Sequence, residues 1–296
     1  MNRKPCPNVG GQAVIEGVMM RSPWRIAISV RRPNGEIITS VKDQIPLVKK
    51  HKLLGLPIIR GVVNLVDSLV IGFRALSYSA TMALEEENEK MSGTDMTLAM
   101  LLAFGLFVGL FIVLPAFLTG LVGNRIQSLV LFNLLEGLIR IGIFILYLLF
   151  MSLLKDIRRV FEYHGAEHKT IYSFENGDEV TLDSVRNYQT AHPRCGTNWL
   201  IVVMVISIFI FSLLGRPGLI MRVVSRIIVI PLVAGLAYEV IKLLARHQNN
   251  AFAYVLALPG LLLQKITTKE PDEKQLEVAM TALRESVQGK CDHVES

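Results

Sequence analysis

The chain is short of charge. Only 19% of its 296 residues are Asp, Glu, Lys or Arg, against about a quarter in soluble domains. Cysteine is sparse and odd in number: Cys6, Cys195 and Cys291 are the three. A disulfide framework is therefore not expected. Residues 1–12 hold no apolar h-region, so no cleavable signal peptide is expected. The glycine-rich stretch near the start lacks the lysine and the helix context of a Walker A or dinucleotide fingerprint. No inverted repeat with paired broken helices stands out, which disfavours a secondary transporter.

What is abundant is apolar sequence, and it comes in blocks. Hydrophobic residues make up 51% of the chain and the mean hydropathy is +0.44. Four runs approach or exceed the spanning length of about 20 residues: 98–122, which contains Pro115, then 128–154, 199–214 and 223–244. Two more segments are apolar but interrupted. Segment 53–84 carries a polar stripe, Arg60, Asn64, Asp67, Arg74 and Tyr78, at helical spacing. Segment 251–266 is short and broken by Pro259-Gly260. Both read as interfacial or re-entrant helices, with a fifth span as the alternative for 53–84. Residues 273–286 form an amphipathic helix pattern. Residues 26–30 and 37–41 flank Pro33-Asn34-Gly35-Glu36, a hairpin signal.

The expected fold is a mainly α membrane protein. It has about four transmembrane helices, two interfacial or re-entrant helical segments and a small N-terminal β-hairpin element. The chain divides into an N-terminal cytoplasmic β element (1–52), an amphipathic helix and linker (53–97) and transmembrane helices one and two (98–154). A cytoplasmic loop with a His/Cys cluster follows (155–198), then helices three and four (199–244), then an interfacial segment and cytoplasmic tail (245–296). Lys and Arg set the orientation. Thirteen precede the first span, six lie in 155–198 and six follow Leu244, whereas the short connections hold only Arg125, and Arg216 with Arg222. The positive-inside rule puts both termini and the middle loop on the cytoplasmic side. The formal net charge of +6 is explained by topology, so no nucleic-acid partner is expected. The bilayer is the expected partner, with a protein partner at the cytoplasmic face and a homo-oligomer left open.

The middle loop carries the chemistry. His164-Gly165-Ala166-Glu167-His168 is an H-x-x-E-H pattern. On a helix, His164 and His168 share a face and offer two imidazole nitrogens to one metal ion. Glu167 beside them is the candidate base for a metal-bound water. Gly165 weakens such a helix by about 1 kcal/mol relative to alanine, and a turn at Tyr163-His164-Gly165 is the competing reading. The same loop holds His192-Pro193-Arg194-Cys195-Gly196-Thr197, where His192 and Cys195 can chelate from a turn. The candidate ligands are therefore His164, His168, His192 and Cys195, and their softness favours zinc over magnesium. Structural or anion-binding histidines without a metal are the alternative.

Other polar positions are less specific. Gly10-Gly11-Gln12-Ala13-Val14-Ile15-Glu16-Gly17-Val18-Met19-Met20-Arg21 signals a particular backbone conformation. Gln12, Glu16, Arg21 and Arg194 are candidates for substrate binding or structure, and Glu16 with Arg21 reads equally as a structural pair. Glu136 and Arg140 read as a neutralising pair inside the second span. Gly105-x-x-x-Gly109 permits close helix contact.

These segments resemble the bacterial YqhQ-like family, multipass membrane proteins grouped under a domain of unknown function. The resemblance rests on the Gly10–Arg21 stretch, on His164-Gly165-Ala166-Glu167-His168-Lys169, on His192-Pro193-Arg194-Cys195-Gly196-Thr197, and on the tail with Thr267-Thr268-Lys269-Glu270-Pro271. It implies a multipass integral membrane protein of the bacterial cell (inner) membrane and brings no established reaction. Two functional readings follow: a membrane-embedded, metal-dependent hydrolase with Glu167 as base, or a non-enzymatic scaffold or assembly factor whose His/Cys cluster is structural.

Overall fold

The computed structural model describes residues 7–49, 51–84, 93–193, 195–246, 251–288 and 291. It begins with an antiparallel meander, β1 (Gly10–Val14), β2 (Gly17–Arg21), β3 (Arg25–Arg31) and β4 (Ile37–Asp43), paired in chain order. The hairpin expected around Asn34-Gly35 is β3–β4. It closes with Gly35 at φ +89 and with Glu36 N–H donating to Asn34 Oδ1 at 3.0 Å. The glycine-rich segment before it is a second hairpin, so the element is twice the size expected from the sequence. Val14 pairs with Gly17, and Glu16 in the turn adopts φ +51, a conformation uncommon outside glycine.

Both faces of this sheet are covered. Val18 and Met20 of β2 pack with Tyr163, Ala166 and a second group of buried residues from 276–287. Met19, Val14 and Ile26 pack with Ala75 on the opposite face. The period of two along a strand puts alternate residues on opposite sides. β2 reads as an unbroken apolar run because both sides are occupied. The helices responsible are α1 (Ile59–Met82) on one face, and α5 (Lys155–Glu175) with α10 (Glu273–Val287) on the other. α10 starts with a capping box, in which Asp272 and Gln275 exchange backbone bonds of 2.7 and 2.9 Å. The Gln275 Nε2 also donates to Glu162 at 3.0 Å, tying α10 to α5.

The remaining helices are α2 (Gly93–Val108), α3 (Leu114–Val122), α4 (Leu129–Leu153), α6 (Leu182–Val185), α7 (Gly196–Leu213), α8 (Leu219–Arg246) and α9 (Ala251–Thr267). A π turn over Gly109–Val113 joins α2 to α3. Among the described residues, three helices are long and apolar enough to cross a membrane: Thr97–Val122, Leu129–Leu153 and Leu219–Leu243. Trp199–Leu213 is apolar but shorter. The expectation of about four spans thus reduces to three helices of spanning length. These three suggest a membrane protein, because much of their apolar surface faces outward: Ile220 is 82% exposed and Ile228 71%.

One further expectation changes. The fourth apolar helix begins at Leu219 rather than 223, which moves Arg222 from the connection into its first turn. Glu239 of the same helix pairs with Arg60 of the α1 polar stripe. Cys291 is disulfide-bonded, so the sparse cysteines include a cross-link although they form no framework. Cys195 is free.

Candidate functional site

α5 runs unbroken through the H-x-x-E-H residues, which rules out the competing turn. Leu154, at φ −76 and ψ 127, separates it from α4, so the helix leaves the bundle in a new direction and lies against β1. Gly165 explains itself here. A Cβ at this position would overlap the carbonyl oxygen of Lys269, and Lys269 N–H donates to Phe161 O at 2.9 Å. The glycine lets the chain between α9 and α10 cross α5 at contact distance. That crossing gives His164 its partner: its Nδ1 bonds the Thr267 carbonyl at 2.8 Å.

His168 is held the same way. Its Nδ1 bonds the Thr190 carbonyl at 2.5 Å. A carbonyl can only accept, so each Nδ1 carries a proton, and in the neutral ring the free lone pair is on Nε2. The two rings sit edge to face with centroids 4.4 Å apart. His164 Nε2 is 3.3 Å from Cys195 Sγ. His168 Nε2 is buried and has no hydrogen-bond partner. The ligand-type atoms of His164, His168 and Cys195 all lie within 4.8 Å of one another. Burial lowers the His168 pKa against the opposing pull of the adjacent Cys195 thiol.

His192 borders this trio, its ring centroid 5.7 Å from that of His168, but its Nε2 is turned elsewhere. Its Nε2 is 3.2 Å from Glu175 Oε2, and its ring meets Tyr172 edge to face at 4.4 Å. Its backbone N–H and C=O both pair with the amide of Gln264, at 2.7 and 2.9 Å. His192 thus fixes the loop that delivers Cys195. Of the four ligand candidates, three converge and His192 does not join them. Arg194 lies outside the described residues.

Glu167 faces the sheet. A Cβ on Gly11 would come within 2.8 Å of its carboxyl, so that glycine makes room for it. Burial pushes the Glu167 carboxyl up to about 7, against the lowering influence of His164 and of a hydrogen bond from the Ala13 backbone. Gln12 points the other way, against Gly72 of α1. Glu16 and Arg21 do not pair with each other. Glu16 holds Arg159 of α5, with Nη2 at 2.6 Å, and Tyr163 OH at 3.3 Å. Arg21 holds Asp67 of α1 at 2.6 Å. Both are clasps between the sheet and its covering helices.

Sequence reasoning missed Gln264 and Lys169. Gln264 is fully buried, and the signal for it was an amide inside the apolar 251–266 run. Lys169 is 3% exposed, donates to Arg186 O at 2.9 Å and pairs with Glu270. It locks the chain that crosses over Gly165.

A family profile described as "Protein of unknown function (DUF1385)" matches residues 56–289. The chain is 31% identical over 297 residues to "Uncharacterized protein YqhQ" of Bacillus subtilis (strain 168), covering 94% of this chain and 92% of the relative. No solved structure matches.

Proposed function

The chain belongs to the DUF1385 family of unknown function, and from its own side chains we propose that it is a membrane-embedded, metal-dependent hydrolase. The observation that carries this reading is the buried, unpartnered Nε2 of His168 beside His164 Nε2 and Cys195 Sγ. A buried acceptor without a donor is costly, and a metal ion would satisfy it. Ligand bonds of about 2.0–2.3 Å to zinc place neighbouring ligand atoms about 3.5 Å apart. The trio is within a small side-chain adjustment of that. The two Nδ1 carbonyl bonds are the outer support that metal-bound histidines use.

Three protein ligands leave a fourth position for water or substrate, the pattern of catalytic rather than structural zinc. A bound zinc ion would supply an activated water at neutral pH. Glu167, one residue before His168, would accept the proton from that water. The ligand set favours zinc by softness. The substrate class is a lipid head group, a membrane peptide or a small cytoplasmic molecule. In the proposed topology α7 is the fourth span. Its 18 residues reach about 27 Å, and four crossings return both basic termini to the cytoplasm.

One observation favours the scaffold reading. Glu167 is 5% exposed and accepts the Ala13 N–H, so its whole role could be to seat β1 on α5. One experiment addresses both readings. Inverted membrane vesicles are treated with a membrane-impermeant maleimide, and Cys195 modification is read by peptide mass spectrometry. Cys195 should react after chelation, be protected after zinc is restored, and stay unmodified in right-side-out vesicles. Glu167→Gln should keep the protection while abolishing hydrolysis of phospholipid and peptide substrates. Protection that ignores zinc sinks the metal site; labelling only from outside sinks the orientation. Hydrolysis unchanged in Glu167→Gln sinks the enzyme and leaves the scaffold.

A further inference from the structure

The bundle holds more positive charge than it can neutralise. Between residues 98 and 154, and between 199 and 238, Glu136 is the only acidic residue, against Arg125, Arg140, Arg216, Arg222 and Arg226. The fold gathers most of these charges at one place. Glu136 Oε1 accepts from Arg140 Nη2 at 2.9 Å and from Arg226 Nε at 2.6 Å. Its Oε2 accepts from Arg226 Nη2 at 2.8 Å and lies 3.9 Å from Arg222 Nη1. Glu136 is therefore not half of a pair with Arg140; three guanidinium groups surround one carboxylate. The side chains of Glu136 and Arg226 are 2% and 1% exposed, and that of Arg222 is 8% exposed.

The arginines are oriented before any ligand arrives. Pro115 has no N–H to give the carbonyl four residues earlier, and that carbonyl, of Phe111, accepts Arg140 Nε at 2.8 Å. Arg222 Nη1 donates to Ala116 O at 3.0 Å. Arg226 Nη2 also reaches Asn133 Oδ1 at 3.1 Å. Phe132 lies under Arg216 and Arg222, 4.1 and 4.8 Å from its centroid. After all of this, Arg226 Nη1 and Arg222 Nε remain buried donors with no acceptor. Two uncompensated guanidinium charges and two unused N–H groups in an apolar bundle are expensive. An anion would answer both.

We propose that this cluster binds a phosphate group, reached past Arg216. Guanidinium forks match tetrahedral oxyanions, and a phosphate carries the charge that is missing. Arg216 is exposed and holds the Gly123 and Ile126 carbonyls, so it sits where the two short connections meet. Arg226 is seven residues into α8, about 10 Å from its start. That depth is within reach of a lipid headgroup phosphate as well as of free phosphate. The site is separate from the His/Cys trio: Glu136 precedes the end of α4 by 17 residues, about 25 Å of helix.

The test uses the full-length protein in detergent, wild type beside Arg222→Gln. Native mass spectrometry counts retained phospholipid. Thermal unfolding is followed while inorganic phosphate is titrated at an ionic strength held constant with chloride. Retained phospholipid in wild type, reduced about tenfold or more in Arg222→Gln as expected for losing one charge-assisted contact, supports the site with a lipid phosphate as its occupant. Stabilisation by phosphate but not chloride supports it with free phosphate. Neither effect in folded wild-type protein overturns the proposal. So does equal binding in a folded Arg222→Gln. Where Arg222→Gln does not fold, Arg216→Gln, at the exposed end of the cluster, replaces it: binding reduced there supports the site and binding equal to wild type overturns it.

Discussion

Gly165→Ala is expected to destabilise the protein by about 3 kcal/mol. Alanine normally stabilises a helix interior by about 1 kcal/mol over glycine, so the sign itself is informative. The new methyl would overlap the Lys269 carbonyl oxygen, which is backbone and cannot rotate away. Overpacking of this kind costs about 1–3 kcal/mol, occasionally more. Relief requires the chain after α9 to lift off α5, and with it go the Thr267 carbonyl on His164 and the Lys169–Glu270 pair. Thermal unfolding and limited proteolysis between α9 and α10 check this. Gly142→Ala is the control, because a Cβ there meets nothing within 4 Å. Equal behaviour of the two variants would show that the crossing is not close.

The second large effect belongs to Glu136. Glu136→Gln removes the one carboxylate that Arg140 and Arg226 share. Breaking a buried ion pair from one side costs about 3–5 kcal/mol, because the partner charges stay buried. Here more than one partner is stranded, so the upper end applies. The expected result is a folded yield in membranes well below wild type and a lower unfolding midpoint for what remains. Glu136→Asp, which keeps the charge on a shorter arm, should fall between them. A Glu136→Gln protein as stable as wild type would mean that the cluster does not carry its charges as described.

Much of this was legible in the sequence, and what was not has identifiable causes. The apolar blocks announced the helices because a bilayer permits little else. Asn34-Gly35 announced β3–β4 because few residues tolerate that turn. The strands β1 and β2 stayed hidden because β2 is covered on both faces, so Val18-Met19-Met20 shows no alternation. Gly165 read as a weakness because a helix propensity takes no account of the chain that crosses it. His164, His168 and Cys195 were named from spacing alone. His192 was grouped with them because proximity in sequence cannot show which way a ring turns, and Glu175 with Tyr172 turned it. Arg222 and Arg226 were missed as partners of Glu136 because they are about 90 residues away in the chain. The excess of arginine over acid in the apolar segments was nevertheless countable.

The proposed hydrolase depends on the trio of His164, His168 and Cys195 holding a metal. Its most direct test is metal content per chain, measured by elemental mass spectrometry on detergent-purified protein. Wild type, His168→Ala and His192→Ala are compared, each first shown to be folded. About one zinc per chain is expected in wild type and in His192→Ala, because His192 is turned to Glu175, and almost none in His168→Ala. No metal in wild type after zinc loading, or metal lost from His192→Ala but kept in His168→Ala, would contradict the account.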